Sequence, residues 1–154
     1  KWCLNKLVKL FVFGDSYADT GNYLNSSSYK PPYGMIFPSK PSGSFSYGHI
    51  LTDYIFNSLP QFIVPSSYMK IKSPAPYSLR NFSKLQYGMN FAYGGTSMFN
   101  TFIDGPNMTL QIYSFEELIQ QNVYTKLDIE SSVALISVCC NDYLTFLLNK
   151  RVEH

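Results

Sequence analysis

Three short polar segments of the sequence contain the residue types that acyl transfer requires. Gly14-Asp15-Ser16 supplies a hydroxyl nucleophile, Gly94-Gly95 can bring a backbone N–H close to a substrate because glycine has no Cβ, and Asn141-Asp142 supplies an amide donor. A serine hydroxyl attacks an acyl carbon, and N–H donors stabilise the oxyanion that then develops. Ser16, with donors from its own turn, from Gly95 and from Asn141, therefore defines a candidate site for acyl transfer.

Each segment also has a simpler structural interpretation. Gly-Asp-Ser by itself is typical of a turn closed by the aspartate side chain, and Gly-Gly is typical of a turn as well. Asn141-Asp142 by itself is typical of the N-cap of a helix. The functional interpretation depends on all three segments occurring in this order, each directly after a predicted strand.

Three apolar segments predict the strands that end at these polar residues. Lys6–Phe13 is short, apolar and rich in strand-forming residues, Met89–Ala92 is a short strand candidate, and Ser132–Val138 is the clearest candidate for a buried strand. Strands that are apolar throughout, rather than alternating, are typical of a parallel sheet covered on both faces. In such a sheet, ligand sites form outside the carboxyl ends of the strands.

The sequence predicts helices between the strands and after the last of them. Tyr47–Leu59 and Thr109–Tyr124 each carry apolar residues along one helical face, and Asp142–Lys150 predicts the start of another helix. The predicted faces comprise Ile50, Leu51, Tyr54, Ile55 and Leu59 in the first helix, and Ile112, Phe115, Leu118, Ile119 and Val123 in the second. Alternating strands and helices predict an α/β fold in a single domain that spans residues 1–154.

The composition excludes several other classes of protein. With 14% charged residues and a net charge of +2, the chain gives no electrostatic reason to expect nucleic acid or an anionic membrane as a partner. No apolar run approaches the ~18 residues that a transmembrane segment needs. Cys3, Cys139 and Cys140 are too few and too unevenly spaced for a disulfide framework or a zinc site, so we expect free thiols, no metal and no cofactor.

Three Asn-x-Ser/Thr sequons, at Asn25, Asn81 and Asn107, are candidate glycosylation sites and favour secretion. The chain begins with Lys1 rather than methionine, and its opening residues lack the small-residue cleavage site of an intact signal peptide. We therefore expect a processed or clipped chain from a secreted protein.

The three polar segments resemble the sequence blocks of the plant GDSL-type esterase/lipases, a branch of the SGNH hydrolases. Phe11–Asn22 (FVFGDSYADTGN) resembles the first block, Asn90–Thr96 (NFAYGGT) the second and Val138–Tyr143 (VCCNDY) the third. Pro32-Tyr33-Gly34 and Leu51–Tyr54 (LTDY) also fit the plant branch. The match is specific because the three blocks occur in the family's order.

This resemblance implies a secreted ester hydrolase that acts on small esters or lipids, with a role in lipid degradation. It implies a three-layer α/β/α sandwich with a parallel, flavodoxin-like sheet, truncated here after the third strand. It makes Ser16 the nucleophile and forms the oxyanion hole from the Ser16 N–H, the Gly95 N–H and the Asn141 side chain. Asp15 and Asp142 take supporting roles.

The sequence also departs from the family pattern. The family's last block, Asp-x-x-His, supplies the general base and its orienting carboxylate, and it is absent here. We expect the two histidines, His49 and His154, to lie on the surface of a helix and at a truncation end. Without a base Ser16 is a weak nucleophile, so we expect an incomplete, inactive hydrolase domain. The alternatives are a non-catalytic lipid- or carbohydrate-binding remnant of the same fold and a truncated product without a stable function.

Cys140 stands where the family has glycine, directly before Asn141. If this position requires a positive φ, a Cβ there costs about 1–2 kcal/mol. Such strain would tilt the Asn141 side chain, so the sequence predicts a distorted loop at Cys140.

Overall fold

The computed structural model describes residues 9–58, 74–82, 85–99 and 105–152. Within these ranges the strands are β1 (Leu10–Gly14), β2 (Gly88–Asn90) and β3 (Val133–Ser137). The α-helices are α1 (Leu51–Ser58), α2 (Met108–Gln120), α3 (Lys126–Glu130) and α4 (Cys140–Val152), and short 3-10 helices occupy Ser27–Tyr29, Tyr77–Phe82 and Leu85–Tyr87. The start of the first predicted strand, Lys6–Val8, and the end of the first predicted helix, Leu59, lie outside the described residues.

The three strands form one parallel sheet in the order β2-β1-β3. β1 lies in the middle, where Phe11 pairs with Met89 of β2 and with Ala134 of β3. Since the strands point the same way, their carboxyl ends meet at one edge of the sheet. The prediction of an α/β fold with a parallel sheet and flanking helices is confirmed.

The larger apolar core lies between α2 and one face of the sheet. Its buried members are Phe11, Phe13, Met89, Phe91, Met108, Leu118 and Tyr124. Phe13 stacks on Phe91 with ring centroids 5.1 Å apart, and the ring of Phe115 in α2 lies 4.8 Å from that of Phe11. Such pairs contribute about 0.5–1.5 kcal/mol each beyond the area they bury. Aromatic packing therefore fixes α2 against the sheet.

The opposite face of the sheet carries a smaller cluster. Leu10 and Val12 of β1 pack there with Ala18 and Ala92, and half-buried Leu135 of β3 lies against them. Ala18 and Ala92 come from the segments that directly follow β1 and β2. The chain thus packs back over the strands it has just left, which holds the polar turns close to the sheet edge.

The buried face of α2 differs from the predicted one. The helix starts after Asn107, whose side chain accepts a hydrogen bond from Leu110 N as the N-cap. Ile112 and Ile119, which belong to the predicted face, are 44% and 36% exposed. The buried residues of α2 are Met108, Gln111 and Leu118. The predicted face is confirmed at Phe115, Leu118 and Val123, which belong to the core or pack against it. It is wrong at Ile112 and Ile119, because a polar residue, Gln111, points into the protein in place of its apolar neighbour.

The other two predicted helices are present with shifted ends. α1 begins at Leu51 rather than Tyr47, after Ile50 N donates a hydrogen bond of 3.0 Å to Asp53 Oδ2. Tyr54 is exposed, although the predicted apolar face included it. α4 begins two residues earlier than predicted, at Cys140. In the described part of the chain, no helix has the length and apolar character needed to cross a membrane.

The short helix α3, which the sequence patterns did not predict, fixes the entry into β3. Thr125 Oγ1 accepts a hydrogen bond from Asp128 N at 3.2 Å, and Asp128 Oδ2 accepts one from Thr125 N at 3.0 Å. Lys9 Nζ, just before β1, lies 3.5 Å from Asp128 Oδ1. The hydrogen bonds from Thr125 and the positive charge of Lys9 together lower the pKa of Asp128 to about 2.

We expect Asp128→Asn to destabilise the protein in a pH-dependent manner. The folded-state pKa of about 2 lies below the ordinary value of 3.8, so the ionised carboxylate stabilises the fold above about pH 4 and this contribution disappears as the pH falls towards about 2. Urea titrations should show a lower free energy of unfolding for the variant near neutral pH, and the difference should shrink in that acidic window. Glu130→Gln on the same helix is the control. A difference that stays constant down to about pH 2 would contradict the assignment.

β3 forms an open edge of the sheet in the described part of the chain. At the opposite edge, Asn90 N of β2 donates a hydrogen bond to Ala75 O at 2.9 Å, so the segment before β2 covers that side. Along β3, Val133 is 53% exposed and Ile136 is 66% exposed. The α2 core does not include Ile136. The apolar pattern of Ser132–Val138 predicts a buried strand, and this is wrong for the described structure. The open edge agrees with the truncated sheet that the family resemblance implies.

We expect the 154-residue chain to self-associate through β3. An edge strand offers unpaired N–H and C=O groups to a second copy, and contact between apolar side chains adds about 25 cal/mol per Å² of buried area. Ile136→Lys places a charge on this surface outside the core and should raise the dissociation constant by about tenfold or more. Size-exclusion chromatography with light scattering over a concentration series measures the effect.

Leu135→Lys is the matched variant for this experiment. Leu135 packs against the cluster around Val12, so a lysine there should lower the free energy of unfolding instead of acting on association alone. A wild-type chain that stays monomeric at every concentration, with a sharp cooperative melt, is the result that would refute the open-edge account.

Candidate active site

Ser16 lies on a tight turn directly after the central strand. Ala18 N and Asp19 N both donate to Asp15 O, at 3.1 and 3.0 Å, and Tyr17 N donates to Asp15 Oδ1 at 3.0 Å. The buried Asp15 carboxylate thus closes the turn, as the simpler interpretation of Gly-Asp-Ser requires. Ser16 itself is half-buried on this turn.

The second polar segment lies beside the turn that carries Ser16. Tyr93 N donates to Gly14 O at 3.0 Å, and Gly94 N donates to Asp19 Oδ2 at 2.8 Å. Gly95 follows with a φ of +91°, a backbone conformation that glycine adopts without steric cost. Hydrogen bonds from Tyr93 N and Gly94 N therefore join the second segment to the first.

The third polar segment is joined to both of the others. Asp15 N donates to Ser137 O at the end of β3, at 3.1 Å, which ties the Ser16 turn to that strand. Asn141 Nδ2 donates to Thr96 O at 2.7 Å, directly after Gly95. The structure thus brings all three sequence-predicted segments together at the carboxyl edge of the sheet.

Asp142 supports the second segment rather than its own helix. Its carboxylate accepts hydrogen bonds from Met98 N and Phe99 N, both at 3.0 Å. Asn141 and Asp142 both lie in the first turn of α4, which begins at Cys140. The simpler interpretation of this pair as an N-cap is therefore wrong, because both side chains bind a different segment.

The strain expected at Cys140 is absent. In the described part of the chain, the non-glycine residues with positive φ are Asn25, Ser39 and Asn122, so Cys140 does not adopt the left-handed conformation. It is the first residue of α4, where helical backbone angles suit any L-residue. The prediction of a distorted loop is wrong, and the orientation of Asn141 follows from its bond to Thr96 instead.

Asp19 is a central residue of the site to which the sequence patterns assigned no role. It is fully buried, and its carboxylate accepts hydrogen bonds from the backbone N–H groups of Gly21, Asn22, Tyr23 and Gly94, at 2.8, 2.7, 3.3 and 2.8 Å. Burial raises the pKa of Asp19, and the four N–H donors oppose this rise. The signal in the sequence was Asp-Thr-Gly-Asn, since an aspartate two residues before a glycine is typical of a turn in which the carboxylate accepts backbone hydrogen bonds.

Two asparagines extend the same polar network. Asn22 Nδ2 donates to Asn90 O and Ala92 O, both at 2.8 Å, and Asn22 Oδ1 accepts from Ser78 N at 2.9 Å. The buried Asn90 side chain donates in turn to Ala18 O at 2.7 Å. These amides add to the backbone hydrogen bonds that Phe91 N donates to Val12 O and Tyr93 N donates to Gly14 O, and they hold the turns after both strands in place.

Gln111 of α2 reaches the backbone of Gly14 from the other side of the sheet edge. Its Oε1 accepts from Gly14 N at 2.9 Å, and its Nε2 donates to Gly14 O and Thr96 Oγ1, both at 2.8 Å. The Thr96 hydroxyl donates to Pro106 O at 2.7 Å. A buried glutamine therefore links the first two polar segments to α2.

We expect Gln111→Leu to lower the free energy of unfolding by about 1–3 kcal/mol, because it leaves the buried Gly14 N–H without its acceptor. Gln120→Leu, at the exposed end of the same helix, should change stability by about 0.5 kcal/mol or less. Urea titration followed by circular dichroism measures both. Equal stabilities for the two variants would show that the Gln111 contacts do not support the site.

An open cavity of about 540 Å³ adjoins Ser16. Its other lining side chains include Tyr17, Phe45, His49 and Tyr54. His49 Nδ1 lies 3.5 Å from Asp53 Oδ2, and its ring stacks on Phe37 with centroids 4.0 Å apart. His49 is exposed as predicted, but it lies ahead of α1 instead of on the helix. His154 lies outside the described residues.

The three candidate glycosylation sites differ in their surroundings. Asn25 and Asn81 are exposed, and Asn25 has a φ of +65°. Asn107 is half-buried, and its side chain caps α2. Glycosylation and secretion stay predictions that rest on the sequence motifs.

The fold and the site define an α/β protein in which three strand-end segments converge on a serine-bearing turn. The family model for GDSL-like Lipase/Acylhydrolase matches residues 10–154. The chain belongs to this family, and the resemblance seen in its sequence is confirmed.

Similar proteins from Arabidopsis thaliana carry matching names. GDSL esterase/lipase At5g03610 is 48% identical over 150 residues, which cover 94% of this chain and 39% of that protein. GDSL esterase/lipase At3g09930 is 49% identical over 93% of this chain and 40% of its own length, and GDSL esterase/lipase At2g36325 is 43% identical over 92% and 39%. The chain thus spans about two fifths of the length of the relatives it matches.

Proposed function

We propose that this chain carries the nucleophile and the oxyanion hole of a carboxylic ester hydrolase. The observation that supports this most strongly is the set of hydrogen bonds that joins the segment of Ser16 to those of Gly95 and Asn141. Membership of a family whose relatives are named esterase/lipases supports the same chemistry. The substrate class is a small ester or a lipid.

In the proposed reaction, Ser16 Oγ attacks the carbonyl carbon of the ester while a general base accepts its proton. Negative charge develops on the carbonyl oxygen, and the N–H groups of Ser16 and Gly95 and the Asn141 amide donate hydrogen bonds to it. An amide nitrogen has two hydrogens, and the bond to Thr96 O uses one of them, so the other is available to the oxyanion. Collapse of the intermediate expels the alcohol, and water then hydrolyses the acyl-serine ester to a carboxylic acid.

The cavity beside Ser16 is the proposed site for one of the two organic groups of the ester. Its volume of about 540 Å³ suits a small ligand, and Phe45 and Tyr54 offer apolar surface to an acyl chain. Apolar surface of this kind accepts many different acyl groups. We therefore assign the ester class but not a particular acyl group.

The general base is the component that this sequence lacks in the family's form, because it contains no Asp-x-x-His. The relatives extend well beyond the matched region, which is 39–40% of their length. We propose that a complete family domain supplies the base from that additional region. For residues 1–154 alone we expect ester hydrolysis close to the buffer background, since a serine hydroxyl without a base is a weak nucleophile.

A chimera tests this proposal by joining residues 1–154 to the unmatched carboxyl-terminal region of the 48% identical relative. We expect it to hydrolyse p-nitrophenyl butyrate, and Ser16→Ala should lower kcat by about 10³-fold or more. Asn141→Ala should lower kcat by about 10²–10³-fold, the effect of losing one oxyanion donor.

Ser42→Ala, which changes an exposed serine away from the turn, is the matched control and should leave kcat unchanged. The thermal melts of the Ser16→Ala and Ser42→Ala variants should coincide with that of the parent within the range of a surface change. Asn141→Ala also removes the hydrogen bond to Thr96 O, so its kcat is compared at a temperature where the variant is fully folded. Full activity of the chimera with Ser16→Ala would refute the nucleophile assignment. Turnover by residues 1–154 alone that disappears with Ser16→Ala would show that the chain contains its own base.

A further inference from the structure

Cys139 and Cys140 form an exposed pair of thiols at the junction of β3 and α4. Their Sγ atoms lie 3.7 Å apart, and both thiols are free. Asn141 and Asp142, whose side chains hold the segment after Gly95, follow them directly. The proposed ester hydrolysis uses neither thiol, so the pair presents a separate chemical function.

A direct disulfide between these neighbours is geometrically unfavourable. Adjacent Cα atoms are about 3.8 Å apart, whereas the two Cα atoms of a disulfide are usually about 4.4–6.8 Å apart. The hydrogen bond between the two thiols raises the pKa of Cys139. A protonated thiol reacts slowly with oxidants, because the thiolate is the nucleophile. The short Cα separation favours a ligand atom that bridges the two sulfurs over a bond between them.

The separation of the two sulfurs suits a single bridging atom. Two sulfurs bound at about 2.3 Å to one tetrahedral Zn²⁺ lie about 3.8 Å apart, close to the 3.7 Å observed here. Structural zinc takes four protein ligands. Among the described residues, no group of three or more His, Cys, Asp or Glu side chains is arranged to hold a metal. The pair fits a thiophilic centre that forms only two bonds to sulfur, as a trivalent arsenic atom that carries one aryl group does.

An apolar cavity of about 480 Å³ adjoins Cys139. Its other lining side chains are Met98, Phe99, Val138, Asp142, Tyr143 and Phe146. Three of these side chains are aromatic, and such rings bind a further aromatic ring by stacking or edge contact. A ligand that carries one arsenic atom and one aryl group would place the arsenic at the thiols and the ring in this cavity.

We propose that Cys139 and Cys140 are a dithiol site for trivalent arylarsenicals. An arylarsine oxide condenses with both thiols: its arsenic–oxygen bond breaks, two arsenic–sulfur bonds form, and the oxygen leaves with both thiol protons as water. Arsenic remains trivalent, so the step needs no oxidant or reductant. The site is independent of the proposed esterase chemistry and is present in residues 1–154 themselves.

The test uses the 154-residue chain with Cys3→Ser, so that only the pair reacts. Titration with phenylarsine oxide should give one adduct per chain, with a mass increase equal to the reagent less one water and the loss of both titratable thiols. Cys139→Ser and Cys140→Ser should each weaken binding by about 10²–10⁴-fold, because the second bond is then no longer intramolecular. A dithiol such as dithiothreitol should remove the adduct, whereas a monothiol at the same thiol concentration should not.

Phe146→Ala examines the cavity separately from the thiols. It should weaken phenylarsine oxide by up to about tenfold and leave methylarsine oxide unaffected, because only the phenyl reagent contacts the ring. Single-serine variants that bind as tightly as the parent, or an adduct on each thiol separately, would overturn the dithiol site. Equal loss for the phenyl and methyl reagents with Phe146→Ala would overturn the cavity's part in it.

Discussion

The rest of the site depends on the backbone N–H and C=O groups of Gly14. Its N–H donates to Gln111, and its carbonyl accepts from both Gln111 and Tyr93. Its φ is +154°, and a Cβ at this position would collide with the carbonyl of Ser137 in β3. The absence of one side chain thus lets β3 approach closely, while α2 and the segment after β2 bind the N–H and C=O groups of the same residue. Ser16 follows two residues later, so its position is fixed by contacts that it does not make itself.

The buried carboxylate of Asp19, next to the Ser16 turn, is stabilised by backbone hydrogen bonds. Removing a carboxylate from water costs several kcal/mol, even in a protein that relaxes around it. Here backbone N–H groups from two different segments replace water, and each of them would itself be unsatisfied without the carboxylate. The raised pKa of Asp19 reflects the burial that remains uncompensated. The carboxylate and the loops therefore stabilise each other, and these hydrogen bonds hold the second segment next to the Ser16 turn.

Much of the fold could be predicted from the sequence because apolar strands and polar strand ends are local patterns. The parallel sheet and the meeting of the segments at Ser16, Gly95 and Asn141 follow from those patterns once the strands are known to run in one direction. The inward position of Gln111 could not be predicted, since its reason is a backbone group 97 residues away. The exposure of Ile136 follows only from the family resemblance, which implies a sheet truncated after the third strand. The local pattern could not predict it, because composition records that a strand is apolar and not whether another element covers it.

The two edges of the sheet differ in the described part of the chain, and this difference limits the size of an assembly that forms by pairing of strand edges. When two copies pair β3 against β3, a twofold axis relates them, and both use the same surface. The outer edges of the joined sheet are then both β2, and each is already occupied by the segment at Ala75. Such a contact is isologous and closes on itself, whereas a head-to-tail contact would propagate into a filament. Because Ala75 already accepts the hydrogen bond from Asn90 N, the β2 edge does not offer this group to a third copy, and the paired sheet contains two copies.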